Sequence, residues 1–233
     1  MKTDSEKKAA CSTNLRMRDM RQRDILPKDK LENTHATVIG TGAVGRQLAL
    51  QLASMGVGKI QMFDFDTVEE VNLAPQGFAE DDIGKSKVDA VAESCRKMNS
   101  EIEIIPVNSR FLRASDIGNV VFCCVDSIRI REFIWDVIGD KDVELFVDGR
   151  MAAEALRVVT AYDDESNKYY KETLFSEEDA MEAPCTAKST IYCANICAGL
   201  MITQYAKWMR NIPIDRDMLI NLVTNDFIVE DIK

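Results

Sequence analysis

The sequence predicts an α/β fold, because apolar runs of strand length alternate with segments whose apolar residues recur at helical spacing. Residues 36–39 are an apolar run, and after a glycine-rich turn apolar side chains follow a helical period from Val44 to Met55. Residues 59–63 then have the composition of a second strand. Strands that alternate with helices of this length form parallel sheets through right-handed crossovers. We therefore predict a doubly wound, mostly parallel sheet.

The alternation continues towards the end of the chain. Further strands are predicted at 101–107, 119–124 and 144–148, and helices at 88–98, 127–138 and 189–209. Residues 155–162 are rich in β-formers and are predicted to pair antiparallel at one edge of the sheet. The polar stretch 163–183 is predicted as a loop. An N-terminal helical arm and C-terminal helices complete the expected fold.

Length and composition favour one domain and exclude several classes of partner. The chain has 233 residues, 46% of them hydrophobic, so we expect a flexible tail at 1–18 and a single domain at 19–233. The net charge of −10 repels phosphate backbones, so no nucleic-acid partner is expected. No window has the roughly 18 apolar residues of a membrane span, and the start lacks the apolar stretch of a secretory signal. We therefore expect a cytoplasmic protein that does not enter membranes.

The cysteine and histidine content argues against a disulfide framework and a structural zinc site. Seven cysteines are an odd number, no CxxC pair occurs, and His35 is the one histidine of the sequence. Four of the cysteines fall in predicted buried elements and are expected in the core, namely Cys123, Cys124, Cys193 and Cys197.

A glycine-rich motif joins the first predicted strand to the first predicted helix. Gly40 allows the tight turn, Gly42 lets the backbone approach a phosphate, and Gly45 lets the helix pack on the strand. The backbone amides at the start of the helix, including those of Ala43 and Val44, would then face the bound anion. The motif therefore predicts nucleotide binding at this turn.

Asp64 ends the second predicted strand, nineteen residues after Gly45. An acidic side chain at this distance from the motif is placed to hold ribose hydroxyls. The motif and Asp64 fit NAD, FAD and ATP equally well, so these residues alone do not identify the nucleotide.

The segment that follows indicates which nucleotide it is. Residues 64–76 (DFDTVEEVNLAPQ) resemble the DxDxVxxxNLxRQ signature of the ThiF/MoeB-like superfamily, the ubiquitin-activating-enzyme-like adenylyltransferases. Residues 82–88 (DIGKSKV) resemble the family's DIGxxKV, residues 21–22 resemble its N-terminal RQ, and residues 125–127 stand where it has TDN. These elements occur in the family's order, and the resemblance implies a Rossmann-like fold that binds ATP and Mg²⁺.

The resemblance also implies roles for individual residues. Lys87 matches the family's phosphate-contacting lysine, Asp126 the residue that organises Mg²⁺, and Arg21 an arginine that reaches into a neighbouring subunit's site. Asp64 matches the ribose-binding residue. The other polar positions of the signature, expected to bind the cofactor, are Asp66, Asn72 and Gln76.

Two of these residues have other interpretations, and one family residue is missing. Lys87 taken alone fits a solvated charge on a helix, and Asp126 fits a cap of the helix that begins near Ser127. Pro75 stands where the signature has an arginine, so one phosphate-directed cation is absent. Four arginines are candidates to replace it: Arg23, Arg129, Arg131 and Arg150.

Cys185 lies in the segment APCTAKST at 183–190. It resembles the crossover-loop cysteine of enzymes that pass an activated carboxylate to a thioester, and the resemblance assigns 163–188 to that loop. A cysteine at a helix N terminus beside Lys188 would have a lowered pKa and thiolate character. The alternative is a structural cysteine at a loop–helix junction.

The expected function is ATP- and Mg²⁺-dependent adenylation of the C-terminal carboxylate of a ubiquitin-like or sulfur-carrier protein. Transfer of the acyl group to Cys185 would follow if that residue is a nucleophile. A homodimer is expected, because Arg21 would act in trans. The alternatives are adenylation of a small molecule, a peptide or a tRNA-borne carboxylate, a non-catalytic scaffold that binds nucleotide or a partner, and a nicotinamide oxidoreductase.

Overall fold

The computed structural model of the protein describes residues 18–174 and 189–230. The strands in chain order are β1 His35–Ile39, β2 Lys59–Asp64, β3 Glu103–Asn108, β4 Val120–Cys123, β5 Leu145–Ala152, β6 Ala155–Ala161, β7 Asp217–Asn221 and β8 Asp226–Glu230. They form one sheet in the order β3-β2-β1-β4-β5-β6-β7-β8.

The helices cover the two faces of this sheet. Their bounds are α1 Lys28–Asn33, α2 Ala43–Met55, α3 Leu73–Gln76, α4 Lys87–Met98, α5 Ile128–Ile138, α6 Asp164–Glu172 and α7 Ile191–Met209. Short 3-10 turns occupy Glu70–Asn72 and Glu80–Asp82. None of the helices within 18–174 and 189–230 is long and apolar enough to cross a membrane.

The doubly wound arrangement predicted from the sequence is confirmed. β1 pairs in parallel with both β2 and β4, while β3 continues the sheet beyond β2 and β5 continues it beyond β4. Two apolar clusters form on opposite faces, because side chains alternate along each strand. Phe122 of β4 joins the cluster that contains α2, α4 and α7, whereas Cys123 joins the cluster that contains α5 and Tyr170 of α6.

The antiparallel edge is confirmed and is larger than the sequence indicates. β6 pairs antiparallel with β5 through residues 155–161, as predicted. β7 and β8 then extend the edge as an antiparallel hairpin after α7, in a region where only helices were predicted. Each hairpin strand has five residues, which is too short for a strong period in the sequence.

The prediction of a loop over residues 163–183 is wrong for its first part, which forms α6. Asp163 caps this helix by accepting a hydrogen bond from the Ser166 amide at 2.8 Å, and Ser166 Oγ accepts one from the Asp163 amide at 3.0 Å. Tyr170 is fully buried against Trp135 and Phe146. A reciprocal cap and one buried aromatic side chain therefore stabilise a helix whose sequence is otherwise polar. The rest of the predicted crossover loop, 175–188, lies outside the described residues.

The predicted N-terminal helical arm consists mainly of turns, followed by the six-residue helix α1. Gln22 attaches it to the domain, because its Nε2 donates to the Met55 carbonyl oxygen at 2.9 Å, at the C-terminal end of α2. The predicted tail at 1–18, except for Arg18, lies outside the described residues. The division into tail and single domain stays a prediction.

Candidate functional site

The carboxyl ends of the central strands bring several of the predicted site residues together. Ile39 of β1 lies level with Phe63 of β2 and Cys123 of β4. The loops that follow these strands therefore start at one edge of the sheet, with neighbouring strands about 5 Å apart and the two outer ones about 10 Å apart. The chain winds to opposite sides from β1, and ligands of open α/β sheets bind in the crevice at such a switch point.

The glycine loop has the geometry that the motif requires. Gly40 adopts a φ of +89°, and a Cβ there would lie 2.8 Å from the Cys124 carbonyl oxygen. A Cβ on Gly45 would lie 1.8 Å from the Gly40 carbonyl oxygen, so a side chain at this position would push α2 away from β1. Both glycines are therefore needed for α2 to begin directly behind the loop.

The start of α2 is suited to an anion. Gly42 is the N-cap residue and supplies no side-chain acceptor, and the first turn of the helix contains no acidic residue. The amides at the start of α2, among them those of Ala43 and Val44, therefore have no local carboxylate or hydroxyl cap. The helix dipole adds a partial positive charge at the same place. This end of α2 fits a phosphate group.

Asp64 is fixed against the glycine loop. Its Oδ2 accepts hydrogen bonds from the Thr41 amide at 2.7 Å and from Thr41 Oγ1 at 3.1 Å, and its Oδ1 accepts one from the Asp66 amide at 2.9 Å. An ionised carboxylate has about four acceptor positions. Asp64 therefore keeps the capacity to accept a further hydrogen bond, as a ribose hydroxyl requires.

Lys87 is not a solvated helix charge, which was the alternative from sequence. Its side chain is 8% exposed, and its Nζ forms an ion pair with Asp66 Oδ2 at 2.8 Å. The Lys87 amide also donates to the Asp66 carbonyl oxygen at 2.9 Å. Asp66 is itself linked to Asp64 through its amide. These contacts place Lys87 at the same sheet edge as Asp64. The Asp66 side chain between them is half exposed.

Asp126 is exposed in the loop after β4 and does not cap α5. Ser127 performs that role, because its Oγ accepts from the Ile130 amide at 3.4 Å. No cluster of three histidine, cysteine or acidic side chains suited to a metal occurs in the described ranges. An Mg²⁺ ion beside Asp126 would then take most of its oxygen ligands from phosphates and water, which is how this ion commonly binds. The exposed carboxylate fits that arrangement.

Gln76 faces the glycine loop, but Asn72 has a local role. A Cβ on Gly42 would lie 3.8 Å from Gln76 Oε1, which is buried and has no hydrogen-bond partner. An orphaned buried acceptor beside the loop fits a donor from a bound molecule. Asn72 Oδ1 instead accepts from the Glu69 amide at 2.9 Å and holds the 3-10 turn. Within the described residues, Asn72 forms no hydrogen bond to the glycine loop, so its cofactor-binding role stays a prediction.

Arg21 is not brought to this site within the chain. The neighbouring Gln22 is bonded to the C-terminal end of α2, whereas the glycine loop is at the N-terminal end. α2 has 13 residues and is therefore about 20 Å long. An arginine at this position meets a glycine loop only if that loop belongs to another copy of the chain, as the family resemblance implies.

Two of the arginines proposed to replace the missing cation are engaged elsewhere. Arg131 Nε and Arg150 Nε bind the two carboxylate oxygens of Asp148 at 2.9 and 2.7 Å. Arg131 also donates to the Gly149 carbonyl oxygen at 3.1 Å. Arg150 binds the carbonyl and hydroxyl oxygens of Thr173, both at 2.9 Å. Arg131 and Arg150 are therefore excluded as phosphate-directed cations.

Burial alone would raise the pKa of Asp148, but Arg131 and Arg150 hold this pKa below its usual value.

Two further arginines are candidates to replace the cation that is missing at Pro75. Arg129 is exposed on the first turn of α5, whereas Arg23 belongs to the arm. Arg23 directly follows Gln22, whose side chain is bonded to the Met55 carbonyl oxygen, so it lies near the end of α2 that is remote from the glycine loop.

Cys185 and Lys188 lie outside the described residues, so the thioester hypothesis stays a prediction. The described cysteines do not offer a substitute nucleophile, because burial raises the pKa of each thiol above its ordinary value. They are Cys95, Cys123, Cys124, Cys193 and Cys197. Thiols with raised pKa values are weak nucleophiles at neutral pH. The four that were predicted to lie in core elements do so, although Cys124 is partly exposed.

Sequence reasoning missed three residues of this region. Thr41 orients Asp64 from inside the glycine motif. Its position between Gly40 and Gly42 was a signal that Thr41 adjoins the site. Asp148 organises two arginines, and its position in the charged triplet DGR of a buried strand was a signal. Arg46 is half-buried on the first turns of α2, and its place directly after Gly45 was a signal.

One known family matches most of the chain. The model of the ThiF family matches residues 11–232. Molybdopterin-synthase adenylyltransferase of Salmonella typhimurium is 31% identical over 114 residues, which are 46% of this chain and 46% of that protein. Ubiquitin-like modifier-activating enzyme 5 of Aedes aegypti is 28% identical over 138 residues, or 52% of this chain and 35% of that protein. The chain thus matches less than half the length of these relatives.

Solved structures share the fold. Escherichia coli MccB superposes with a TM-score of 0.74 at 17% identity, over 88% of this chain and 63% of MccB. The structure of E. coli MccB with ATP gives a TM-score of 0.70 at 15% identity, over 88% of this chain and 65% of MccB. At this identity the likeness concerns the architecture alone.

Proposed function

Because the chain belongs to the ThiF family, we propose that it binds ATP and Mg²⁺ in the cytoplasm and adenylates the C-terminal carboxylate of a ubiquitin-like or sulfur-carrier protein. Relatives that it resembles are named molybdopterin-synthase adenylyltransferase and ubiquitin-like modifier-activating enzyme 5. ATP is preferred to a nicotinamide cofactor because the segments that carry the resemblance include Lys87 and Asp126, and the structure of MccB with ATP shares the fold.

One observation carries the proposal. Asp64, Asp66 and Lys87 form a connected set of hydrogen bonds that joins the glycine loop to the start of α4. A glycine turn that bound nothing would not require a buried lysine and an anchored carboxylate at the same strand end. The set offers a ribose acceptor, a cation and helix amides within one crevice, which are the groups that a nucleotide requires.

The reaction would be an in-line displacement at the α-phosphate of ATP. A carboxylate oxygen of the acceptor forms a bond to the α-phosphorus, the α–β phosphoanhydride bond breaks, and pyrophosphate leaves with its electron pair. Negative charge develops on the phosphate oxygens, so positioning and cationic stabilisation supply most of the catalysis. Lys87 and the amides of α2 would stabilise that charge. Mg²⁺, held through Asp126, would neutralise the departing phosphates.

The position of Arg21 supports the proposal of a homodimer. This exposed residue lies near the end of α2 that is remote from the glycine loop, so it serves the reaction only by reaching a second copy's site. We therefore propose that two chains pair with the arm of one beside the crevice of the other.

Cys185 is the proposed acceptor of the acyl group. Its thiolate would attack the carbonyl carbon of the acyl adenylate, and AMP would leave.

Two alternatives have a specific basis. A non-catalytic scaffold would explain Pro75, which removes one cation from the family signature. Adenylation of a peptide would agree with the structures of MccB in complex with MccA, which share the fold of this chain. The negative net charge of −10 disfavours a tRNA-borne carboxylate.

The test is ATP–pyrophosphate exchange with purified protein and Mg²⁺, with and without small carrier proteins that end in Gly-Gly. We expect carrier-dependent exchange that falls at least about 100-fold in Asp126→Asn, since loss of one charge-stabilising group has about that effect. Asp136→Asn is the matched control, because Asp136 is an exposed carboxylate on α5. A DTT-sensitive carrier adduct that disappears in Cys185→Ala would establish the thioester step.

Each negative result has a distinct meaning in this design. ATP binding without exchange for any carrier or peptide would favour the scaffold. Exchange with a peptide but not with a carrier protein would replace the proposed acceptor and keep the chemistry. Absence of ATP binding would overturn the proposed function.

A further inference from the structure

We propose that Arg46 is a phosphate-binding residue that supplies the cation which Pro75 cannot. The inference rests on the proposed ATP-binding function and adds to it a residue outside the family signature. Proline carries no charge and no amide proton, so position 75 offers no donor to an anion. The replacement must therefore come from another element that reaches the same part of the crevice.

The backbone of Arg46 is at the right end of α2. Its amide donates to the Gly42 carbonyl oxygen at 3.0 Å, so it closes the first turn of the helix. Side chains of a helix lean towards its N terminus and cover the preceding turn. The long Arg46 side chain therefore extends back along α2 towards the glycine loop rather than away from it.

The guanidinium ends beside α3, the helix that contains Pro75. A Cβ placed on Gly77 would lie 3.2 Å from Arg46 Nη1. Gly77 directly follows Gln76, whose orphaned Oε1 faces Gly42. The positive charge of Arg46 is thus inserted between the first turn of α2 and the end of α3, close to the position where the family signature has its arginine.

The guanidinium also has unused hydrogen-bonding capacity. Its Nε is buried and has no partner, and Arg46 forms no ion pair with any residue of the described ranges. Its Cζ lies 5.1 Å from the centre of the Phe78 ring, which holds the group in place without using its N–H donors. A buried donor without an acceptor is rare and points to a bound molecule.

Asp82 is the carboxylate that acts on Arg46, but it has other partners. Its Oδ2 accepts from the Ala79 amide at 3.1 Å, and its Oδ1 accepts from Lys85 Nζ at 3.2 Å. Burial lowers the pKa of Arg46, and Asp82 partly opposes this effect. The guanidinium stays protonated at neutral pH in any case. Lys87 is paired with Asp66, whereas Arg46, at the start of α2, has a donor without a partner, its Nε, that a triphosphate could use.

The test compares ATP with adenosine, because only ATP carries phosphates. Binding of each to Arg46→Gln, Arg46→Met and wild type is measured by calorimetry or by competition, in the presence of Mg²⁺. Arg210→Gln is the control, because it removes an exposed arginine from the end of α7. We expect Arg46→Gln to weaken ATP binding by about 10- to 100-fold, as for a lost bond between charged groups, and adenosine binding by less than about 3-fold.

The outcomes separate a phosphate contact from a structural role. Equal losses for ATP and adenosine, or an unchanged ATP affinity in Arg46→Gln, would overturn the assignment while leaving the proposed function intact. If Arg46→Gln does not fold, Arg46→Met decides the matter, because it keeps an apolar stem against Phe78 and removes the charge: a selective loss for ATP supports the contact and an unchanged ATP affinity refutes it. A wild-type protein that does not bind ATP would overturn the proposed function and this inference together.

Discussion

The Asp148 cluster on β5 lies level with the end of β1, where the glycine loop begins, and one strand separates them, but their charges are arranged in opposite ways. Asp148 is fully buried, and its two oxygens are bound by Arg131, Arg150 and the Tyr170 hydroxyl. At the glycine loop, by contrast, the Asp66 side chain is half exposed and the buried Gln76 Oε1 has no partner. A saturated cluster, in which every polar group has a partner, stabilises the fold. Polar groups without partners at a crevice are available to a ligand.

The largest expected effect comes from breaking the saturated cluster. Asp148→Asn removes the charge that compensates Arg131 and Arg150, and an unpaired buried charge costs about 3–5 kcal/mol of stability. Chemical denaturation should show this loss in the free energy of unfolding. The control Asp136→Asn, on the exposed side of α5, should stay within about 0.5 kcal/mol of wild type. A small effect of Asp148→Asn would mean that the cluster is not structural.

Removing a charge from the glycine-loop site should lower activity strongly and stability only slightly. We expect Lys87→Met to lower pyrophosphate exchange by about 100-fold or more, because the lysine would act on charge that develops in the transition state. Its effect on unfolding should be below about 1 kcal/mol, since the partner Asp66 is half exposed and becomes solvated. Lys97→Met is the control, as Lys97 is an exposed residue on α4. If Lys87→Met unfolds the protein without a specific loss of exchange, the two regions do not differ as described.

The saturated cluster also predicts how stability depends on acid. The folded-state pKa of Asp148 is held below the unfolded value of about 3.9 by Arg131 and Arg150. The stability that it contributes is therefore present above that value and is lost as the pH falls through the lower, folded-state pKa. Denaturation between about pH 6 and pH 2 should show a decline below about pH 4 that is shallower in Asp148→Asn. An identical slope in both proteins would locate the acid sensitivity elsewhere.

The two regions were also predictable from the sequence to different degrees. The glycine loop, Asp64 and Lys87 belong to local motifs, and the rule that parallel strands end at one edge brings them together. The Asp148 cluster joins β5 to Arg131 of α5 and Tyr170 of α6, and α6 was not predicted at all. Arg46 directly follows the glycine motif, but the approach of its side chain to Gly77 depends on how α2 packs against α3. Sequence therefore locates the residues that we propose to bind the ligand, while tertiary packing decides which charges have hydrogen-bond partners and which do not.

The smallest expected effect concerns two buried thiols of the core. Burial raises the pKa values of Cys95 and Cys197 to about 12, so both stay protonated in the native state at neutral pH. Because an unfolded thiol ionises near pH 8.5, stability should be lost slowly as the pH rises above that value. Mass spectrometry after brief iodoacetamide treatment at pH 7.5 should find both residues modified only in denaturant. Rapid native labelling of Cys197 would show that α7 opens readily from the sheet, whereas rapid labelling of Cys185 with Cys197 protected would support a distinct reactive thiol at 185.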